Sequence, residues 1–455
     1  MGKQYRVYRN PFVITLGKVV QALARLSGGK GSAFPGLVVD KIAPGFAPKI
    51  LAAMPYGVVI ISGTNGKTTT AKIVTELLES MGLRVLTNDT GSNFMRGVVA
   101  ALLSKITLGG HLDADIAVLE LDEAHAVSFV KRVSPRFSLL LNVMPDQLDR
   151  FGSVEYTAGL LQEVAQHTIN TVVINREDSY LSQIDELPFA RICRFGLSPQ
   201  LHSDFLHKDD RVKDETRKII EDEQFSVSVI LSTVDGNKAS FVLDGSVFSV
   251  ELALKGIYNA FNAAAALALV REVLKQGEQQ GGQQDDRQYS HQFDQQLVNA
   301  LASIQSAFGR GESFIVGDRE IEVLLVKNSK GFQLTLDSFD PLGFATMVAI
   351  NDEYGDGRDV SWLFDVDFTA LQKTGVAMIS GKRAYDMALR LSYDEVPCQQ
   401  IEADVLAALD HILSDETRTD QALRIFCTYS AMTKLHTRLK TLTREKKLYQ
   451  SAGDR

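Results

Sequence analysis

Cysteine is scarce in this chain. Only Cys193, Cys398 and Cys427 occur among 455 residues, far apart and in no C-x-x-C pair. That spacing excludes a disulfide framework and a zinc ribbon, and it fits a reducing compartment. Apolar runs are short as well: none reaches the roughly 18 residues of a membrane span. The N-terminus does not read as a signal peptide, because Lys18 and Arg25 interrupt the apolar stretch at 13–26 and no cleavage-like end follows. These absences predict a cytoplasmic protein. An excess of basic charge is also missing. The net charge of -8 argues against holding nucleic acid as the main task. It still permits a phosphate site, which uses backbone N–H groups and one or two cations.

What is present is ordinary for a globular protein: 45% apolar and 23% charged residues. The length suits about three domains. Residues 1–50 read as a leader with one helix, Val13–Leu26, then a Gly-rich stretch at 28–31 and a turn at Pro35-Gly36. The helix is read as packed on the main body, with binding to a membrane surface, at its inner face, as the less favoured alternative because only two cations lie within it. Strands at Tyr56–Ser62, Leu83–Thr87, Ala114–Leu121 and Phe137–Val143, with a helix at Thr69–Met81, form an α/β alternation that implies βαβ units and a mostly parallel sheet.

Ser198–Gln224 reads as a charged surface excursion. Phe225–Leu254 reads as β-hairpins with turns at Asp235-Gly236-Asn237 and Asp244-Gly245, followed by a helix over Asn259–Leu274. Residues 276–297 hold nine Gln in 22 positions, which reads as a linker or loose loop. The last domain boundary is placed near 305. Beyond it, strands at Val323–Lys327, Ala345–Ile350, Val376–Ile379 and Leu423–Cys427 alternate with helices, and the basic tail 434–447 reads as a solvated surface helix. The expected domains are a leader (1–50), a central domain (51–304) and a C-terminal domain (305–455).

The strongest local signal is Gly63-Thr64-Asn65-Gly66-Lys67-Thr68-Thr69. It follows a buried strand and opens a helix, the context a phosphate loop needs. Gly63 and Gly66 let the backbone turn and expose N–H groups at a helix N-terminus. Lys67 is placed to reach the β/γ-phosphates of ATP, and Thr68 to offer its hydroxyl to Mg²⁺. Ile61 stands where the standard loop has Gly. A second acidic element ends the strand at 116–121. Glu120 is the first choice as a further Mg²⁺ ligand, with Asp122 and Glu123 in reserve. None of the three cysteines sits in the small-residue elbow that exposes a thiolate nucleophile. If the chain uses glutamine nitrogen, a partner must release it.

These stretches resemble the Mur ligase family, whose phosphate loop is similarly shortened. Residues 142–152, 325–331 and 351–362 are similar to its MurT branch in particular, and the only Trp, Trp362, lies in the last of them. The likeness runs over about residues 11–430. It implies an α/β Mur ligase-like fold: a central P-loop ATPase domain with a mostly parallel sheet plus a β-hairpin insertion, and a C-terminal Rossmann-like α/β domain. It implies ATP-driven amide formation through an acyl phosphate. In the MurT branch, ammonia from a GatD glutaminase converts the α-carboxylate of D-Glu in the lipid II stem peptide to D-isoglutamine.

Residue by residue, the resemblance assigns Lys67 and Thr68 to ATP and Mg²⁺, Glu120 to the metal, and Asn262 to the nucleotide. It assigns Arg310 to a Gly-Arg element that meets nucleotide at the domain junction, and Asp359 to completing the glutaminase's Cys-His-Asp triad. Many MurT chains carry a four-cysteine zinc ribbon. The corresponding region here, about 193–225, holds one cysteine, with His202 and His207 as isolated histidines, so no zinc is expected. Two alternatives stand beside this reading: a Mur-type ligase adding an amino acid or glutamate, as folylpolyglutamate synthase does, and an ATP-binding subunit without chemistry of its own.

Overall fold

The computed structural model describes residues 5–26, 33–88, 94–145, 153–206, 227–278, 286–305, 310–353, 355–415 and 421–453. The chain divides into two compact units. The first holds most of the chain through Ile304; the second holds Leu254–Tyr258 and the chain from Gln305 onward.

In the first unit the β-branched runs form the interior of one sheet. Its strands are β1 (Gly57–Ser62), β2 (Val85–Thr87), β3 (Ile116–Glu120), β4 (Phe137–Leu140), β5 (Thr171–Asn175), β6 (Arg191–Leu197), β7 (Val227–Asp235), β8 (Lys238–Leu243) and β9 (Ser246–Glu251). Among the described residues the order is β9-β8-β7-β6-β5-β4-β1-β3-β2. Neighbours from β2 to β7 are parallel, and β7, β8 and β9 are antiparallel. The expected hairpins therefore extend the main sheet from β6. Strands β5 and β6, which the sequence reading did not anticipate, join the two halves.

The leader departs from expectation. Among the described residues it holds three helices: α1 (Pro11–Leu26), α2 (Phe34–Ile42) and α3 (Phe46–Ala52). Pro35-Gly36 makes no turn. Both lie in the first turn of α2, where proline has no helical N–H bond to lose. Gly36 is there for contact: a Cβ on it would sit 1.8 Å from the Arg96 carbonyl oxygen, on helix Met95–Lys105. The Gly-rich stretch 28–31 lies outside the described residues.

The Gln-rich segment also differs. Residues 279–285 lie outside the described residues, but Asp286–Ala300 is a helix that buries Asp294, Leu297 and Val298. Asp294 accepts from Arg271 Nε at 2.7 Å, and Arg271, 2% exposed, reaches Asp244 in the β8–β9 turn at 2.5 Å. A buried ion pair costs desolvation unless its geometry is good, and this one has a second carboxylate to complete it. The helix Ile257–Glu278 that carries Arg271 is the one described helix long and apolar enough to cross a membrane, and 72% of its apolar window is buried inside the fold. Ala263 through Val270 are wholly enclosed, as befits a core helix. In the charged excursion Pro199–Leu206 is helical; residues 207–226 lie outside the described residues.

The second unit is built on a mostly parallel sheet in the order Arg310–Val316, Arg319–Leu325, Ala422–Cys427, Phe344–Ala349, Met378–Ser380, Ile401–Glu402; only its first two strands are antiparallel. Apolar side chains on both faces collect into two core clusters, one under Phe332 and Phe368, the other under Leu409 and Leu435. The basic tail belongs to the helix Tyr429–Gly453, and it is not simply a surface helix: Ala431, Met432, Leu435 and Leu439 are buried at helical spacing.

Candidate functional site

Strand β1 lies between β3 and β4, so its carboxyl end opens between two parallel neighbours, the position where α/β sheets place ligands. Ser62 ends β1 and helix α4 (Lys67–Ser80) begins five residues later. The connection is held by a residue that the sequence reading did not single out. Asn142, just past β4, accepts the Thr64 N–H through its carbonyl at 2.9 Å and the Asn65 N–H through Oδ1 at 2.8 Å, while its Nδ2 donates to the Asn65 carbonyl at 3.1 Å. Thr64 and Met144 add a reciprocal pair, at 3.0 and 3.3 Å. The 142–152 stretch continues into residues 146–152, which lie outside the described residues.

Both loop glycines are required by geometry. Gly63 has φ +130, and a Cβ on it would lie 2.9 Å from the Asn142 nitrogen. Gly66, the residue before α4, has φ +87, and a Cβ there would meet Asn262 Oδ1 at 2.6 Å. Asn262, 9% exposed, thus stands against the loop at the start of α4. Substituting Gly66→Ala is expected to cost about 1–2 kcal/mol in left-handed strain and displacement of Asn262. Denaturant unfolding measures this; a variant as stable as the parent would show that the turn is not tightly held.

The charges gather at the same edge. Lys67, 7% exposed, donates from Nζ to the Gly63 carbonyl and, at 3.3 Å, to the Thr64 carbonyl. Its ammonium lies 3.8 Å from Glu123 and 4.0 Å from Asp122. Burial pushes the Glu123 carboxyl up, Lys67 pulls it down, and Asp122 raises it again. Thr68 Oγ1 donates to Glu120 Oε1 at 2.8 Å. Glu120 is itself fixed by Asn88, which accepts its N–H at 3.0 Å and donates to its carbonyl at 2.8 Å. The three acids therefore separate: Glu120 faces Thr68, while Asp122 and Glu123 face Lys67. Thr69 is buried one residue on. The Thr68 hydroxyl and the Glu120 carboxylate are adjacent hard oxygen donors, a set that suits Mg²⁺.

In the second unit, Asp359 lies in the loop after the buried strand Phe344–Ala349 and is exposed. Its Oδ1 accepts the Ser361 N–H at 2.8 Å. That bond and the Ser361 hydroxyl hold its carboxyl below the ordinary aspartate range. Trp362 packs at the edge of the Phe332 cluster. Asn328, from the 325–331 motif, caps helix Ser329–Ser338 by accepting the Gly331 N–H at 2.8 Å. Arg310 opens its strand opposite Leu324, and Gly309 lies outside the described residues. His202 pairs with Glu177 at 3.2 Å, and His207 lies outside the described residues. Burial raises all three cysteine thiols, that of Cys193 to about 11. A thiol raised in this way is a poor nucleophile at neutral pH.

Comparison with known proteins covers both regions. Residues 61–270 match the Mur ligase middle domain and residues 325–432 match the MurT ligase C-terminal family. A Streptococcus pneumoniae protein, lipid II isoglutaminyl synthase (glutamine-hydrolyzing) subunit MurT, is 26% identical over 447 residues, spanning 90% of this chain and 92% of its own length. The Staphylococcus aureus protein of the same description is 26% identical over 422 residues, 87% and 90% of the two chains. Among solved structures, MurF ligase from Thermotoga maritima in complex with ADP superposes with a TM-score of 0.63 at 17% identity, covering 90% of this chain and 85% of that one, which speaks to the fold. With the loop at 63–69 inside the first match and Asp359 inside the second, the chain carries a Mur ligase middle domain and a MurT ligase C-terminal domain, and over 90% of its length it is similar to proteins described as MurT subunits.

Proposed function

We propose that this chain is the ATP-dependent ligase subunit that amidates the α-carboxylate of D-Glu in the lipid II stem peptide, giving D-isoglutamine with ammonia released by a separate GatD-like glutaminase. The observation that carries this reading is the grouping of Lys67, Thr68 and Glu120 at one strand edge, in a chain whose own thiols are all raised. The names of the similar subunits, glutamine-hydrolyzing synthases of lipid II, supply the substrate and the nitrogen source.

The chemistry follows from the charges. A carboxylate oxygen attacks the γ-phosphorus of ATP, forming an acyl phosphate and releasing ADP. Ammonia then adds to the acyl carbon, and phosphate leaves with the C–O bond while the nitrogen gives up a proton. The first step sets anion against anion. Lys67 and the N–H groups at the start of α4 offset that repulsion. Thr68 and Glu120 would hold Mg²⁺, which when bound neutralises charge growing on the phosphate oxygens. Asn262 and Arg310 are assigned to the nucleotide and Asp359 to the partner's histidine. The cytoplasm, at the inner membrane face, is where ATP and such a substrate meet.

The test is the mass of the stem peptide after incubation with ATP, Mg²⁺, lipid II and glutamine, with and without the glutaminase. Replacement of OH by NH₂ only when the partner is present supports the reading. ATP turnover with an amino acid joined instead would assign a Mur-type adding ligase. ATP binding without turnover on any of these substrates would assign a non-catalytic subunit.

A further inference from the structure

Helix α1 is apolar on two sides. Val13 and Ile14 are buried, and Gly17 is so close to Leu103 that a Cβ would lie 2.5 Å from it. The opposite side carries Phe12 (70% exposed), Val19 (50%), Leu23 (61%) and Leu26 (84%). Steps of seven, four and three residues set these side chains along one stripe. A helix resting on a globular body ordinarily turns a polar face to water. The adjoining helix α2 adds Phe34 and Ile42, both more than half exposed. Large apolar side chains exposed in this number on adjoining helices mark an interaction site.

Charge identifies what covers it. Residues 1–52 contain eight Lys and Arg against one acid, Asp40, in a chain whose net charge is -8. Asp40 is already matched by Arg132, at 2.6 and 3.1 Å. Arg9, Lys41 and Lys49 are exposed. The first 52 residues of this acidic protein thus carry a net positive charge, and the exposed cations Arg9, Lys41 and Lys49 lie on the same segment as its exposed apolar helix. A second copy is a poor occupant, since two such leaders repel. An apolar stripe among cations suits the boundary of an anionic bilayer, where the side chains enter the headgroup layer and the cations meet lipid phosphates. Helix α1 packs on the body through Val13 and Ile14 and also turns an apolar side outward.

We propose that the leader helices α1 and α2 form a docking surface for an anionic lipid bilayer. This goes beyond the amidation reading and does not depend on it, although a lipid-linked substrate would lie at the same surface. Flotation of the full chain with phosphatidylcholine–phosphatidylglycerol vesicles, and with phosphatidylcholine alone, tests it. The wild-type chain is expected to float with the anionic vesicles, less so as salt rises. The Phe12→Glu/Leu23→Glu variant is expected to bind them at least about tenfold more weakly, with its melting temperature and ATP binding unchanged. Lys41→Glu/Lys49→Glu, which leaves the stripe intact, should weaken anionic binding as well. The proposal is overturned by a wild-type chain that stays soluble, by equal flotation on the two vesicle types, or by a dimer in light scattering that Leu23→Glu dissolves. No arm reads turnover, so a failed amidation assay leaves this result standing, and the reverse.

Discussion

Lys67→Ala is expected to lower amidation on the order of 10²–10³-fold, equally with glutamine and with free ammonia. The side chain is enclosed, and its ammonium lies between the loop carbonyls of Gly63 and Thr64 and the carboxylates of Glu123 and Asp122. Removing it takes away the charge that the proposed mechanism sets against the phosphates. It also leaves Asp122 and Glu123 side by side without their cation, so the pocket turns more negative just where ATP must enter. The Michaelis constant for ATP should therefore rise while kcat falls. Lys67→Arg restores charge but must fit a larger planar group into a 7%-exposed position, and is expected to recover only part of the loss. Steady-state rates with both nitrogen sources decide the matter. A Lys67→Ala enzyme within about tenfold of wild type would remove Lys67 from the chemistry.

The sequence showed some parts of this arrangement and hid others, for physical reasons. Strand β1, the loop and helix α4 lie within one continuous segment, so local periodicity and two glycines were enough to read them. Glu120 was readable because a carboxylate ends a buried apolar run. Asn142 was not: its bonds to Thr64 and Asn65 span more than seventy residues, and an Asn after a strand has no local mark of that role. Asn88, which orients Glu120, is hidden in the same way. Composition misled at 286–300, where glutamine suggested a linker although Leu297, Val298 and Asp294 keep helical spacing. The Pro35-Gly36 pair misled because the same dipeptide serves a turn or a helix's first turn, and only the approach of Arg96's backbone decides which. The tail's basic residues drew attention from Ala431, Met432, Leu435 and Leu439, which seat that helix in the core.

The acidic loop after Phe344–Ala349 gives the largest expected effect. Its sequence offers several Asp residues with no local reason to prefer one, and contacts to other elements set Asp352 and Asp356 apart from the rest. Asp352 pairs with Arg383 at 2.8 Å. Asp356 is buried and accepts from the Ser430 N–H at 2.7 Å and hydroxyl at 2.6 Å. Asp367 accepts from the Thr369 N–H at 2.9 Å. Asp359 is exposed, and its bonds to Ser361 hold its carboxyl below the ordinary aspartate range; it is the charge proposed to meet the partner's histidine. In the complex with the glutaminase, Asp359→Asn is expected to cut glutamine-driven amidation on the order of 10³–10⁴-fold, the scale for losing the carboxylate that orients a catalytic histidine and stabilises its cation. Amidation from free ammonia should be unchanged, because no glutamine is then hydrolysed. Asparagine keeps the side-chain oxygen that accepts the Ser361 N–H, so the turn survives. If Asp359 serves only that turn, Asp359→Asn is silent and Asp359→Ala slows both nitrogen sources together. A loss confined to glutamine in both variants, with the complex still intact by size-exclusion chromatography, locates the role in the charge rather than in the loop.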